Sequence, residues 1–238
     1  MDFGKAITYV FEDRRWLTKL LIGTVITFVP ILNFSLPGYF VEIVRRLMRR
    51  ESEILPEWDN IGKNFMDGLM LWIVQLIYGL PMLLLLCLFA VPLLPQLLSD
   101  SVDQDILNTL SGVGLLLLVC GVLLLILYSL FLSFILPALL IQYAQHNTIG
   151  ACFRFGELRR VISQNAGDYF MLWLGIIGIS FAISIVFSIV FTVLNFIPCI
   201  GQVVSILLFL PSGVYLGAVI HHLIGQFAAK TASANTIP

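Results

Sequence analysis

The stretch Phe34-Ser35-Leu36-Pro37-Gly38-Tyr39-Phe40-Val41-Glu42-Ile43-Val44-Arg45-Arg46-Leu47-Met48, followed by Arg49 and Arg50, decides how this chain is threaded. It is largely apolar, yet at roughly 1.5 Å per helical residue it makes only about 22 Å of helix, short of a hydrocarbon core about 30 Å thick. Around it, Trp16 to Leu32, Phe65 to Leu94, about Leu110 to Ile141, Tyr169 to Leu194 and Val203 to about Leu223 form clear apolar spans. If the short stretch lay outside the bilayer there would be five crossings. Arg45, Arg46, Arg49 and Arg50 would then fall opposite Arg14, Arg15 and Lys19, against the tendency of short cytoplasmic loops to hold Lys and Arg.

Counting the stretch as a returning helix places Lys5, Arg14, Arg15, Lys19, the four arginines, Lys63, Arg154, Arg159, Arg160 and Lys230 on one side. The other side receives the turn near Asn33, the acidic loop with Asp100, Asp103 and Asp105, and the uncharged turn Asn195 to Ile200. The expected fold is therefore all-α and polytopic, with six transmembrane helices in a cell membrane and both termini cytoplasmic. Residues 34–48 either span a locally thinned bilayer, helped by snorkelling arginines, or re-enter without crossing.

With 59% hydrophobic and 11% charged residues and a mean hydropathy of +1.00, an ordinary water-soluble domain is excluded. The first apolar run lacks a small-residue cleavage site and is expected to remain as an anchor. Cys87, Cys120, Cys152 and Cys199 are widely spaced, and only Cys199 is expected to face outward, so neither a disulfide framework nor a zinc site is expected.

Internal similarity divides residues 1–230 into three units, about 1–52, 53–147 and 148–230, with a disordered tail expected over 231–238. Each unit holds an amphipathic interfacial helix, an outward helix, and an inward helix beginning near a Leu-Pro pair, so the six passes form three hairpins. The first amphipathic stretch aligns Phe3, Ile7, Val10 and Phe11. A second is expected from Leu55-Pro56-Glu57-Trp58, with Pro56 pre-set for a helix start, and a third aligns Ala151, Phe155, Leu158 and Ile162. Asp67-Gly68-Leu69-Met70-Leu71-Trp72 parallels Asp168-Tyr169-Phe170-Met171-Leu172-Trp173, and both acids are expected in first helical turns.

No catalytic signature, metal-ligand cluster or chain of buried acids is evident, so an enzyme is not expected, nor a cofactor or metal. His221-His222 point about 100° apart on a helix and suit an interfacial role better than a shared ion. Glu42 is the one acid well inside an apolar run, but Arg45 and Arg46 follow three and four residues later, where ion pairing is expected. Ser180, Ser184, Ser188 and Thr192 draw a polar stripe at four-residue spacing, suited to helix packing or to a solute path. Gly213 and Gly217 offer a close-packing pair that serves internal contacts or a homo-oligomer.

Gly38-Tyr39, Arg45-Arg46, Leu55-Pro56-Glu57-Trp58-Asp59 and Asp67-Gly68 together resemble a prokaryotic family of multi-pass membrane proteins known as domain of unknown function 4013. The resemblance implies an integral membrane protein and carries no catalytic residues to transfer. The functional expectation is a non-enzymatic membrane protein whose Arg45, Arg46, Arg49, Arg50, Arg159 and Arg160 engage anionic lipid headgroups or a membrane-protein or cytoplasmic partner, with no nucleic acid involved. The alternative is a small-solute or lipid transporter with a path along the serine-lined helices.

Overall fold

The structure, a computed structural model, describes residues 1–90, 104–197 and 200–234. Among these residues there is no strand. They form eight α-helices, α1 (Phe3–Glu12), α2 (Trp16–Phe28), α3 (Ser35–Met48), α4 (Ile61–Ala90), α5 (Gln104–His146), α6 (Phe155–Gln164), α7 (Ala166–Asn195) and α8 (Ile200–Ala234), with 3-10 turns at Leu32–Phe34 and Ile149–Phe153. Of the outer loops expected from sequence, Asp100, Asp103, Pro198 and Cys199 lie outside the described residues. The tail expected from residue 231 continues α8 to Ala234, and 235–238 lie outside the described residues.

Among the described residues four helices, not the expected six, are long and apolar enough to cross a membrane: Ile61–Leu88, Val119–His146, Ala166–Asn195 and Ile200–Thr231, of 28 to 32 residues each. The two missing full-length passes are α2 and α3, of 13 and 14 residues, which at roughly 1.5 Å per residue reach only about 20 Å. The cause is local. Val29 precedes Pro30 and takes the extended backbone that proline favours in its predecessor, ending α2 four residues before the expected limit at Leu32. At the far end of α3, Arg50 adopts a left-handed backbone (φ 56°). Its N–H donates to Leu47 O at 3.1 Å and that of Glu51 to Arg46 O at 3.0 Å, closing a Schellman cap on a non-glycine residue.

The second interfacial helix expected from Leu55 does not form either. Residues 51–60 are irregular, and helix resumes only at Ile61. Instead of starting a helix, the segment straps itself across α2 and α3. Tyr39 Oη donates to Pro56 O at 3.1 Å, Trp58 Nε1 donates to Lys19 O at 2.9 Å, and the Trp58 and Tyr39 rings stack at 4.2 Å.

The chain divides into two compact units, residues 1–72 with 137–238, and residues 73–136. The smaller holds the distal parts of α4 and α5, tied by Tyr128 Oη donating to Tyr78 O at 2.7 Å. Its Leu83, Leu84, Leu88, Leu123 and Leu127 are exposed, as befits side chains that face lipid. In the larger unit α8 is the axis: Val219, Leu223, Phe227 and Ala228 are fully buried. Glycines let neighbouring backbones approach. A Cβ on Gly38 would stand 1.8 Å from Asn64 O, and one on Gly68 would stand 1.6 Å from Phe34 O, so α3 and α4 start against each other at these two positions. On α8 Gly201 lies against Leu194 O, Gly217 against the Phe40 ring and Gly225 against Leu47, while Gly213 meets open space.

Helix α1 buries Ala6, Tyr9 and Val10, a face rotated from the expected one; Ile7 and Phe11 stay exposed. Tyr9 explains the rotation. Its ring stacks on His222 at 4.0 Å and its hydroxyl donates to Ala218 O at 3.1 Å.

Candidate functional site

The most densely connected polar group of the larger unit is Arg45, only 7% exposed. Its Nη1 donates to Asp67 Oδ2 at 2.6 Å and lies 3.5 Å from Glu42, Nη2 donates to Asn147 Oδ1, and Nε donates to Ala144 O at 3.4 Å. Tyr143 lies beneath the guanidinium, 5.8 Å from its ring centre, and donates its own hydroxyl to Asp67 Oδ1 at 2.9 Å. One arginine thus holds α3, the first turns of α4 and the end of α5 together. Each of the three guanidinium nitrogens has an acceptor, which is what makes a buried cation tolerable.

Asp67 therefore sits well inside α4 rather than in its first turn, and acts as the anchor of Arg45. Gly68 beside it explains why the pair works: without a side chain at 68, α4 comes close enough to α3 for the carboxylate to reach the guanidinium. Glu42 also takes Lys63 Nζ at 3.0 Å and Arg49 Nη2, so the intramembrane acid of the sequence is a cation-saturated ion-pair node. Asp168, in the first turn of α7 as expected, pairs with Lys230 at 2.6 Å.

A second buried cation, Lys19, is 3% exposed. Its ammonium donates to Asp13 Oδ2 at 2.6 Å and Leu55 O at 2.9 Å, and lies 3.0 Å from Glu57. Burial alone would raise the Asp13 carboxyl, but the hydrogen bond and charge of Lys19, with the Arg15 backbone N–H, outweigh it and hold Asp13 below the usual carboxylate range.

The six arginines singled out by sequence meet different surroundings. Arg45 is turned inward, Arg46 pairs with Glu51 at 3.5 Å, and Arg49 pairs with Glu42 and Glu51. Arg50 forms the cap of α3. Arg159 and Arg160 on α6 are exposed and make no ion pair among the described residues. Phe155 on the same helix is 64% exposed while Leu158 is buried.

The serine stripe divides as well. Ser184 and Ser188 open onto an apolar cleft of about 530 Å³ lined also by Thr27, Phe187, Phe209 and Ser212. Ser180 is half-buried and outside that lining, and Thr192 is exposed and donates to Ser188 O at 2.8 Å. Gln226 Nε2 donates to His222 Nδ1 at 3.1 Å, and His221 Nδ1 donates to Gly217 O at 2.7 Å while its ring stacks on Phe40. Both histidines are engaged in packing α8.

A family model described as a protein of unknown function, DUF4013, matches residues 20–192. The chain belongs to this family. The matched region contains the Arg45 cluster and all of α6, while all of α1 and all of α8 fall outside it. No curated protein and no solved structure matches the chain.

Proposed function

We propose that this DUF4013 protein is a non-enzymatic membrane protein that engages anionic lipid headgroups through the exposed cations of α6. The four long helices cross the bilayer, and α2 and α3 dip in and return as a short hairpin. That arrangement keeps an even number of full crossings and leaves both termini and all basic clusters on the cytoplasmic side, as three hairpins would. The observation that carries the proposal is the contrast within the arginines: Arg159 and Arg160 have no carboxylate of their own, beside an exposed Phe155 suited to the acyl boundary. A basic side chain near an anionic surface contributes about 1 kcal/mol. Native mass spectrometry of the detergent-purified protein, incubated with phosphatidylcholine and an anionic lipid of equal chain length, tests it. Arg159→Gln with Arg160→Gln is expected to weaken retention of anionic lipid about tenfold or more, and unchanged retention refutes the assignment.

A second reading, a lipid or small-solute path along α7, draws on Ser184 and Ser188 facing the apolar cleft. Cysteines placed at these positions are expected to react with a water-soluble thiol reagent if water enters the cleft. Complete protection, with an exposed control position reacting, leaves the cleft to acyl chains.

A further inference from the structure

At the end of α5, a half-polar cavity of about 160 Å³ lies among α5, α6 and α8, with Gln142, Gln145, His146, Arg160, Gln164 and Thr231 among its lining residues. It is too small for a drug-sized ligand and larger than a single water needs, the scale of a headgroup. Gln142 is 3% exposed, and its Oε1 has no hydrogen-bond partner. A buried amide oxygen left unpaired costs about 1–3 kcal/mol, so this position suits a ligand that brings a donor. Arg160 stands at the same cavity with no carboxylate of its own. Glu157, also on the lining, is already met by Arg154 at 3.2 Å and lies 3.7 Å from His146 Nε2. Amides that give and take hydrogen bonds and one free guanidinium, on a lining that is half polar and half apolar, describe a site for a group that is anionic at one end and hydroxylated at the other.

We infer that this cavity seats a phosphate ester bearing free hydroxyls, with Arg160 on the phosphate and Gln142 accepting from a hydroxyl. Phosphatidylglycerol and free glycerol phosphate share that chemistry. The inference rests on the headgroup proposal for α6 and narrows it from charge to chemical type.

The test uses the full-length protein purified in detergent, with two arms. In the first, native mass spectrometry compares retention of phosphatidylglycerol, phosphatidic acid and phosphatidylcholine of equal chain length. In the second, thermal unfolding is followed with glycerol phosphate against inorganic phosphate. The expected result is phosphatidylglycerol retained about tenfold over phosphatidic acid, the effect of one well-placed hydrogen bond. Gln142→Met is expected to abolish that preference while leaving phosphatidic acid retention unchanged, and the exposed Gln164→Ala to reduce it without burdening the fold. Discrimination only in the second arm assigns the same chemistry to a soluble ester. No discrimination in either arm, or a preference that survives both substitutions, overturns the inference. In that event, phosphatidic acid still exceeding phosphatidylcholine would leave the broader headgroup proposal standing, and equality of all three lipids would remove both.

Discussion

Arg45-Arg46 with Arg49-Arg50, and Arg154 with Arg159-Arg160, are two of the cationic runs of the chain, and they meet opposite fates. The first is drawn inward. Glu42, Glu51 and Asp67 converge on it from three segments, and Arg45 ends up with a carboxylate, an amide, a backbone carbonyl and an aromatic ring around it. Among the described residues the second has one ion pair, Arg154 with Glu157, and Arg159 and Arg160 stay at the surface. The number of positive charges is therefore a poor guide to what they touch. What separates the runs is the supply of acids and the close approach that glycine permits.

The largest effect is expected at Arg45. Truncating it to Ala leaves Asp67 without its cation in a largely buried cluster, while Glu42 keeps Lys63 and Arg49, and removing one partner of a buried pair costs about 3–5 kcal/mol. Thermal unfolding in detergent measures it, with Arg45→Lys expected in between because a point charge replaces the guanidinium fork. A loss below about 1 kcal/mol for Arg45→Ala would break the distinction between the two runs. Gly68→Ala should come next, at about 1–3 kcal/mol, because its Cβ would drive Phe34 O away and separate Asp67 from Arg45. A neutral Gly68→Ala would show that backbone contact is not what brings α3 and α4 together.

By contrast, Arg159→Gln with Arg160→Gln is expected to leave stability within about 0.5 kcal/mol while weakening anionic lipid binding. Arg49→Gln with Arg50→Gln should show the reverse order of sensitivity, with little change in lipid retention and a measurable fall in stability. Smallest of all is a pH effect at the other buried cation. Asp13 has its carboxyl held low in the folded state, so its pairing with Lys19 stabilises the protein above the unfolded carboxylate range near 4. That contribution fades as pH falls through the lowered folded value. The unfolding temperature should thus drop on acidification below about 4, less steeply in Asp13→Asn. Identical acid limbs for the two proteins would remove Asp13 from the Lys19 cluster.

Spacing along one helix was readable, and contacts between segments were not. Glu42 and Arg45, three residues apart, were expected to pair and do so at 3.5 Å. Asp67 and Tyr143 complete the same cluster from 22 and about 100 residues away, with no periodicity to announce them. The pairing of Asp67 with Gly68 was the available signal: a helix position without a side chain, next to an acid, marks a close approach with a charge at it. Pro56 shows the converse. It has the chemistry of a helix start, but the carbonyls around it are claimed by Tyr39 and Lys19, and tertiary hydrogen bonds outcompete the local preference.

By itself the sequence determined that this chain is all-helical, that its apolar content demands a membrane, and that it belongs with DUF4013, because hydropathy and helical period are properties of consecutive residues. Only the tertiary structure decided that residues 51–60 form a strap rather than a helix, and which arginines remain available. Those outcomes turn on backbone atoms meeting across segments at separations of a few ångströms, at Gly38, Gly68 and Arg45, and no linear pattern encodes such distances.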